Sequence, residues 1–274
     1  MPSKKLKTIA IYLILFIFIL ILLFPVIWTF IISIKTPADA FSMPPKIIFK
    51  PTFRYYYELW IDRGFFGYLI NSLIISISSV IISVMIASIA SFALSHYKKK
   101  ISGVLLISVL VLRMFPRFAL LIPFFIMAKI FGLFDTRTIV VLVMVAINQP
   151  FAIWILRGFF EGVPTEVIDS SKIDGCSMFS TYTRIVLPIV IPGLITSGIF
   201  TFLLAYNEFL VPLVLTSIEA KTLPVAIAEY GAEDLKYWSL AAAGAISIAM
   251  PAVIILSFFQ RYLVKGMTLG AIKE

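Results

Sequence analysis

Residues 163–192 read VPTEVIDSSKIDGCSMFSTYTRIVLPIVIP, the longest charge-bearing interruption between two apolar runs of the chain. The stretch predicts two short helices around a glycine. Pro164 suits a first helical turn, where its missing N–H would be unpaired in any case. Glu166 and Asp169 put negative charge into the early turns, where the helix dipole favours it. Gly175 stands where a left-handed residue would end the first helix, with Asp174 just before it. Ser177 is placed to cap a second helix carrying Met178, Phe179 and Tyr182. Ser170 and Ser171 are small, so a second surface could approach the first helix closely. A plain amphipathic connector accounts for the same residues; a docking element accounts for the capping and the small face as well.

The sequence on either side establishes the class. Of 274 residues, 61% are hydrophobic and 14% charged. Soluble chains carry about 25% charged residues, and a soluble domain of this length could not bury so much apolar surface. The pattern predicts a polytopic membrane protein. Spans are expected at 9–34, 68–95, 101–130, 138–156, 185–216 and 237–263, the fifth interrupted by Pro188, Pro192, Pro212 and two glycines. A cleaved signal is a rival for the first, since Ala38-Asp39-Ala40 resembles a signal-peptidase site. An apolar run that long nevertheless exceeds the roughly 7–15 residues of a signal core, so a retained helix is expected. Ser72, Ser76, Ser79 and Ser83 share one face of the second span, as close helix packing in lipid favours; a polar lining is the alternative. Tyr55, Tyr56, Tyr57 and Trp60 suit a membrane interface.

Six spans put both termini on one side. The segments 1–8, 96–100, 157–184 and 261–274 hold 12 basic and 5 acidic residues, against 8 and 8 in the opposite segments. The excess of Lys and Arg inside therefore predicts cytoplasmic termini and a cytoplasmic 163–192 loop. The net charge of +9 thus reads as orientation, and no nucleic-acid partner is expected. One cysteine, Cys176, and one histidine, His96, exclude an intrachain disulfide and argue against a metal centre. Lys129, near a helix end, is expected to snorkel.

Charged and amide side chains inside the spans form a second group of candidates. Arg113 lies 12 positions into the third span, about 18 Å along a helix axis. Arg117 is expected one turn further on the same face. A charge at that depth costs about 3 kcal/mol, so both must face protein or water. They fit a solute pathway, donating to hydroxyls, or a structural charge pair with Glu208. Asn148 and Gln149, before Pro150, could hydrogen-bond a solute or a neighbouring helix. Asn207 and Glu208, late in the fifth span, complete the candidate pathway.

One spacing is more specific. Asp169-Ser170-Ser171, three residues, Gly175, nine residues, then Ile185-Val186-Leu187-Pro188 resembles the EAA loop of binding-protein-dependent ABC import permeases, which reads E-A-A, three residues, G, nine residues, I-x-L-P. Asp and two Ser replace Glu and two Ala, keeping charge sign and size. Asn71-Ser72-Leu73, Arg113-Met114-Phe115-Pro116, Pro150-Phe151, Leu156-Arg157-Gly158-Phe159-Phe160, Tyr206-Asn207-Glu208-Phe209 and the ending from Val264 to Ala271 look like the carbohydrate-uptake (MalG-like) permeases. The resemblance is strong from about residue 68 onward.

It implies an all-α integral membrane protein of the type I ABC importer class, with six transmembrane helices and both termini inside. Residues 1–67 would hold the first helix and an extracytoplasmic segment, 68–263 the permease core and 264–274 a cytoplasmic tail. The implied function is a permease subunit of an ATP-driven importer, with a sugar as cargo; an importer of a non-sugar solute is the alternative. The implied partners are a second, MalF-like permease, two ABC ATPase subunits, an extracytoplasmic solute-binding protein, the sugar and membrane lipid. The EAA-type residues Glu166, Asp169, Ser170, Ser171, Asp174, Gly175, Met178, Phe179, Ile185, Leu187 and Pro188 would seat in an ATPase cleft. ATP and magnesium would bind the ATPases, with no cofactor on this chain, which has no G-x-x-x-x-G-K-[ST] run. An ATP-independent transporter would also use broken helices and intramembrane arginines but leaves the 169–188 spacing unused. A membrane enzyme lacks paired carboxylates within the spans.

Overall fold

In a computed structural model of the chain, the backbone is described for residues 2–96, 99–233 and 237–269, and the side chains for 5–96, 101–230 and 237–262. Part of the basic 96–100 loop, Asp234, and the end of the tail from residue 270 lie outside the described residues.

Every regular element among the described residues is helical. The principal helices are α1 (Pro2–Ser33), α2 (Phe65–His96), α3 (Lys99–Arg113), α4 (Arg117–Ile130), α5 (Arg137–Glu161), α6 (Thr165–Ile173), α7 (Ile191–Tyr206), α8 (Leu223–Glu233) and α9 (Trp238–Leu269). Among the described residues, apolar windows in α1, α2, α5 and α9 are long enough to cross a bilayer, and two bent pairs raise the possible crossings there from 4 to 6.

The bends correct the third expected span and place the interruptions expected in the fifth. The third is not one straight helix: α3 and α4 meet at 86° around residues 114–116. Proline disfavours helical geometry in the residue before it, so Phe115-Pro116 stops α3. Arg113 and Arg117 therefore flank a break instead of sharing a helical face. The fifth is interrupted twice. Pro188 has no N–H for the carbonyl of Arg184, and the preceding turn, Thr181–Val186, widens to π geometry, with the Leu187 N–H reaching the Tyr182 carbonyl. At Val190 the axis turns by 76° into α7. After Tyr206 the helix stops again, and a short helix follows at Leu210–Leu215.

The chain divides into two compact units, residues 1–66 with 226–251 and residues 67–225 with 252–274. In the first, α1 exposes its apolar side chains all round, as a helix bathed in lipid does. Further on, Ser33 shares a hydrogen bond with the Tyr56 hydroxyl (2.8 Å), and the Trp60 indole donates to Ser247 (3.3 Å). Arg63 pairs with Glu58 at 2.8 Å and lies 4.4 Å over the Tyr230 ring. The interface aromatics expected from sequence thus also hold the unit together.

In the second unit, α5 and α7 pack closely. A methyl group at Gly193 would overlap the Phe159 ring, so glycine is what lets the two helices approach. On α2, Ser72, Ser76, Ser79 and Ser83 are all buried. Ser76 and Ser79 donate back to the carbonyls of Ser72 (2.6 Å) and Ile75 (2.7 Å), satisfying their hydroxyls within the helix. The serine face is packing surface. One core cluster runs from Ile75 through Leu121 and Val140 to Leu215. A second joins Phe92, Leu156 and Phe160 to Val163, Ile168 and Val186.

Candidate functional site

The loop after α5 forms as its residue types predict. Pro164 sits just before α6, at its N-cap, and Glu166 occupies the first turn. Gly175 has φ +80°, a conformation that only glycine adopts without strain. Ser177 accepts from the Ser180 N–H (3.2 Å) and caps the next turn, Met178–Ser180.

The loop has two sides. Its inner side is cemented into the second core cluster. Ile168 and Val186 are buried there, and the Tyr182 ring packs 5.2 Å from Phe92 and 6.4 Å from Phe160. The Tyr182 hydroxyl meets Ser88 of α2 at 2.7 Å. Ser171 belongs to this side: it is only 2% exposed and shares a 2.8 Å hydrogen bond with Thr181. Its small size serves packing within the loop, not the approach of a second surface. Leu187 and Ile185 are partly buried, and Leu187 joins the same cluster.

The outer side carries Glu166, Asp169, Ser170, Asp174 and Gly175, all exposed, with Asp169 bridged to Lys172 at 3.0 Å. Ile173 (87% exposed), Met178 and Phe179 (73%) project beside them, and Pro188 is exposed as well. An apolar cluster ringed by acidic and small residues is a surface suited to burial in a complementary cleft. Cys176, a free thiol of intermediate exposure, lies next to Gly175.

At the other end of α5, sequence reasoning missed a side chain that gathers four backbone N–H groups. Asp135, at φ +61°, accepts from four successive N–H groups, those of Ser217, Ile218, Glu219 and Ala220, at 2.9–3.1 Å. Asn71 holds the same turn: its side-chain nitrogen donates to the carbonyls of Glu219 and Lys221 at 2.9 Å, and its side-chain oxygen accepts from the Arg137 guanidinium at 2.7 Å. Burial pushes the Asp135 carboxyl up, but the four donors outweigh it and bring its pKa down to about 2 from 3.8. That shift is worth about 1 kcal/mol once contact with solvent is allowed for. Because the folded value is the lower one, the stabilisation is complete above the unfolded value and fades as pH falls from about 4 toward 2. Asp135→Asn is expected to lower the thermal midpoint of the purified protein at pH 7 by about 2–4 °C, and to lose less stability than the parent between pH 6 and pH 3. An unchanged midpoint would show that the clamp contributes nothing. The sequence signal was an Asp just outside a helix start, too common to single out.

The intramembrane candidates separate into two sets. Glu208 sits in the break after α7, with its side chain 8% exposed, and forms an ion pair with Arg117. Its other oxygen accepts from the Leu210 N–H at 3.1 Å. The structural pair considered from sequence therefore exists for Arg117. Arg113 instead lies over the Phe151 ring at 4.6 Å. A cavity of about 320 Å³ is lined by Arg113, Arg117, Asn148, Gln149 and Phe151, among others. Asn148 is buried, and the Gln149 side-chain oxygen is buried without a hydrogen-bond partner. Asn207 is exposed, donates to the Leu203 carbonyl at 2.9 Å, and closes the C-terminus of α7. It does not line the cavity. Lys129 is exposed and lies over the Phe134 ring, 3.4 Å from its centre, a cation–π contact.

Residues 79–269 match the family model described as "Binding-protein-dependent transport system inner membrane component". The chain is 34% identical over 251 residues to a probable ABC transporter permease protein, y4oR, of Sinorhizobium fredii, covering 92% of this chain and 90% of that one. It is 33% identical to the trehalose transport system permease protein SugB of Mycobacterium tuberculosis, covering 92% of each. To the trehalose/maltose transport system permease protein MalG of Thermococcus litoralis it is also 33% identical, covering 93% and 92%. A solved bacterial ABC transporter involved in import of the acidic polysaccharide alginate contains a chain of the same fold, with TM-score 0.75, 20% identity and coverage of 95% and 97%.

Proposed function

The chain belongs to the family of binding-protein-dependent transport system inner membrane components, as a multi-pass ABC transporter permease, and we propose that it is the permease subunit of an ATP-driven sugar importer. The trehalose and trehalose/maltose permeases to which it is similar support a mono-, di- or oligosaccharide as cargo. In this reading the two bent pairs each count as one span, giving six crossings with both termini and the 163–192 loop in the cytoplasm. A second permease completes the pathway, a solute-binding protein delivers cargo from outside, and two ATPase subunits hold the ATP and magnesium. This chain binds neither.

The observation that carries the proposal is the two-sidedness of the loop. Ile173, Met178 and Phe179 project from one side while Tyr182, Ile168 and Val186 are locked into the α2–α5 core on the other. Packed cores move as units instead of deforming smoothly. An ATPase cleft that grips Phe179 and Met178 therefore displaces α5 and α7 together as the ATPase dimer closes. Glu166, Asp169 and Asp174 offer charge to basic residues of that cleft, while Ser170 and Gly175 let its backbone come near. Ile185, Leu187 and Pro188 form the lever between the knob and the bend at Val190.

Co-expression with the second permease and the ATPases tests this directly. The ATPases should co-purify, and proteoliposomes holding the complex should take up sugar only with ATP and the binding protein. In a Cys176→Ser background, a cysteine placed by Ser170→Cys should react with an impermeant maleimide only from the cytoplasmic face. Uptake without ATPases, or labelling from outside, would overturn the assignment.

A further inference from the structure

We propose that the cavity lined by Arg113, Asn148 and Gln149 is a binding site for an acidic saccharide, with the sugar's carboxylate or sulfonate held by Arg113. The proposal deepens the importer reading and rests on it for the presence of a saccharide; the anionic character comes from this chain's own charges.

Two guanidinium groups line the cavity. Arg117 is neutralised by Glu208, whose second oxygen is taken up by the Leu210 N–H. For Arg113 no carboxylate lies within ion-pair distance among the described residues; its one charge-directed contact there is the Phe151 face. The site thus carries one uncompensated positive charge. Its walls include Val109, Leu112, Phe124 and Ile147, and apolar walls strengthen the field that such a charge projects. A neutral solute would leave that charge without a counterpart.

The hydroxyl requirement comes from the other wall. Gln149 lines the cavity, and its side-chain oxygen, buried in the wall, receives no hydrogen bond; a turn of the amide toward the cavity would offer that acceptor to an entering donor and remove a deficit of about 1–3 kcal/mol. A sugar hydroxyl is such a donor, whereas a bare inorganic anion is not. Asn148, buried on the same stretch of α5, adds an amide able to donate and accept. The volume of about 320 Å³ falls at the small end of ligand sites, about 300–1,000 Å³, which suits one or two sugar rings. Guanidinium, buried acceptor and amide together select a ligand bearing both an anion and hydroxyls.

The test uses the complete transporter, with the second permease and the ATPases, purified without its binding protein so that this protein's own selectivity does not intrude. Equilibrium binding is measured for a digalacturonate and for the neutral digalactose. The digalacturonate should bind at least about tenfold more tightly, a difference of about 1.4 kcal/mol. Arg113→Gln should abolish the preference, and Arg113→Lys should keep part of it. Gln149→Leu should weaken both disaccharides. Equal binding of the two sugars, or a preference surviving Arg113→Gln, would overturn the proposal. So would sulfate competing as well as digalacturonate, which would mark a small-anion site. Loss of the second permease on purification of Arg113→Gln would also overturn it, by assigning the charge to a partner carboxylate. Failure of the ATPases to co-purify with the parent chain would instead strike the importer reading, which these binding measurements leave separately visible.

Discussion

Gly175→Asp is expected to abolish ATP-dependent uptake and co-purification of the ATPases while leaving a folded permease. A Cβ at Gly175 would meet nothing within 4 Å inside this chain, so no neighbouring group resists the side chain sterically. What resists it is the backbone. Residue 175 holds φ +80°, and placing a residue with a Cβ in that region costs about 1–2 kcal/mol, at the low end for Asp. The Gly175 and Cys176 N–H groups reach back to the carbonyls of Lys172 (3.0 Å) and Ser171 (2.9 Å), tying the turn to the end of α6. If the turn relaxes, Ile173 and Phe179 no longer project together. Aspartate also adds charge beside Asp174 and Asp169, at a surface already acidic. Gly175→Ala separates the two effects: it carries most of the backbone cost without the charge, and uptake should fall partly. The comparison is made by uptake in proteoliposomes together with size-exclusion profiles of the permease. Full uptake and full ATPase recovery with Gly175→Asp would remove the loop from the mechanism.

Glu208→Gln is expected to destabilise the break after α7. It leaves Arg117 without its carboxylate and weakens the cap on the Leu210 N–H. Breaking a buried ion pair by removing one partner costs about 3–5 kcal/mol. Arg117 is 45% exposed, so part of its charge stays reachable by other groups, and about 2 kcal/mol is expected here. The decisive measurement is a double-mutant cycle on thermal unfolding in detergent. The pair Arg117→Gln with Glu208→Gln should be less destabilised than the sum of the single variants, by more than about 0.5 kcal/mol. Additive losses would mean that the two side chains do not interact.

The placement of Glu208 shows where chain order misleads. Arg113 and Arg117 are four residues apart, a spacing that on one helix puts both on the same face. The break at Phe115-Pro116 instead hands Arg117 to a carboxylate 91 residues away and leaves Arg113 over Phe151. Prolines at 116, 188 and 192 were visible in sequence as disturbers of helices. How far each would turn the axis was not, because the bend depends on what the freed backbone groups and the next helix find to pack against.

What the sequence determined by itself was the membrane class, the sharing of one face of α2 by Ser72, Ser76, Ser79 and Ser83, and the two turns around Gly175. These rest on composition, on the 3.6-residue period and on local capping, all of which act between residues near one another in the chain. What only the tertiary structure decided was which side of the loop faces inward, so that Ser171 packs against Thr181 while Ser170 stays in solvent. It also decided the partner of each arginine and the grip of Asp135 on residues 217–220. The last two are contacts between segments far apart in sequence, and the first follows from how the loop packs on α2 and α5; all are fixed by how the helices bury their apolar faces, and no local rule encodes them.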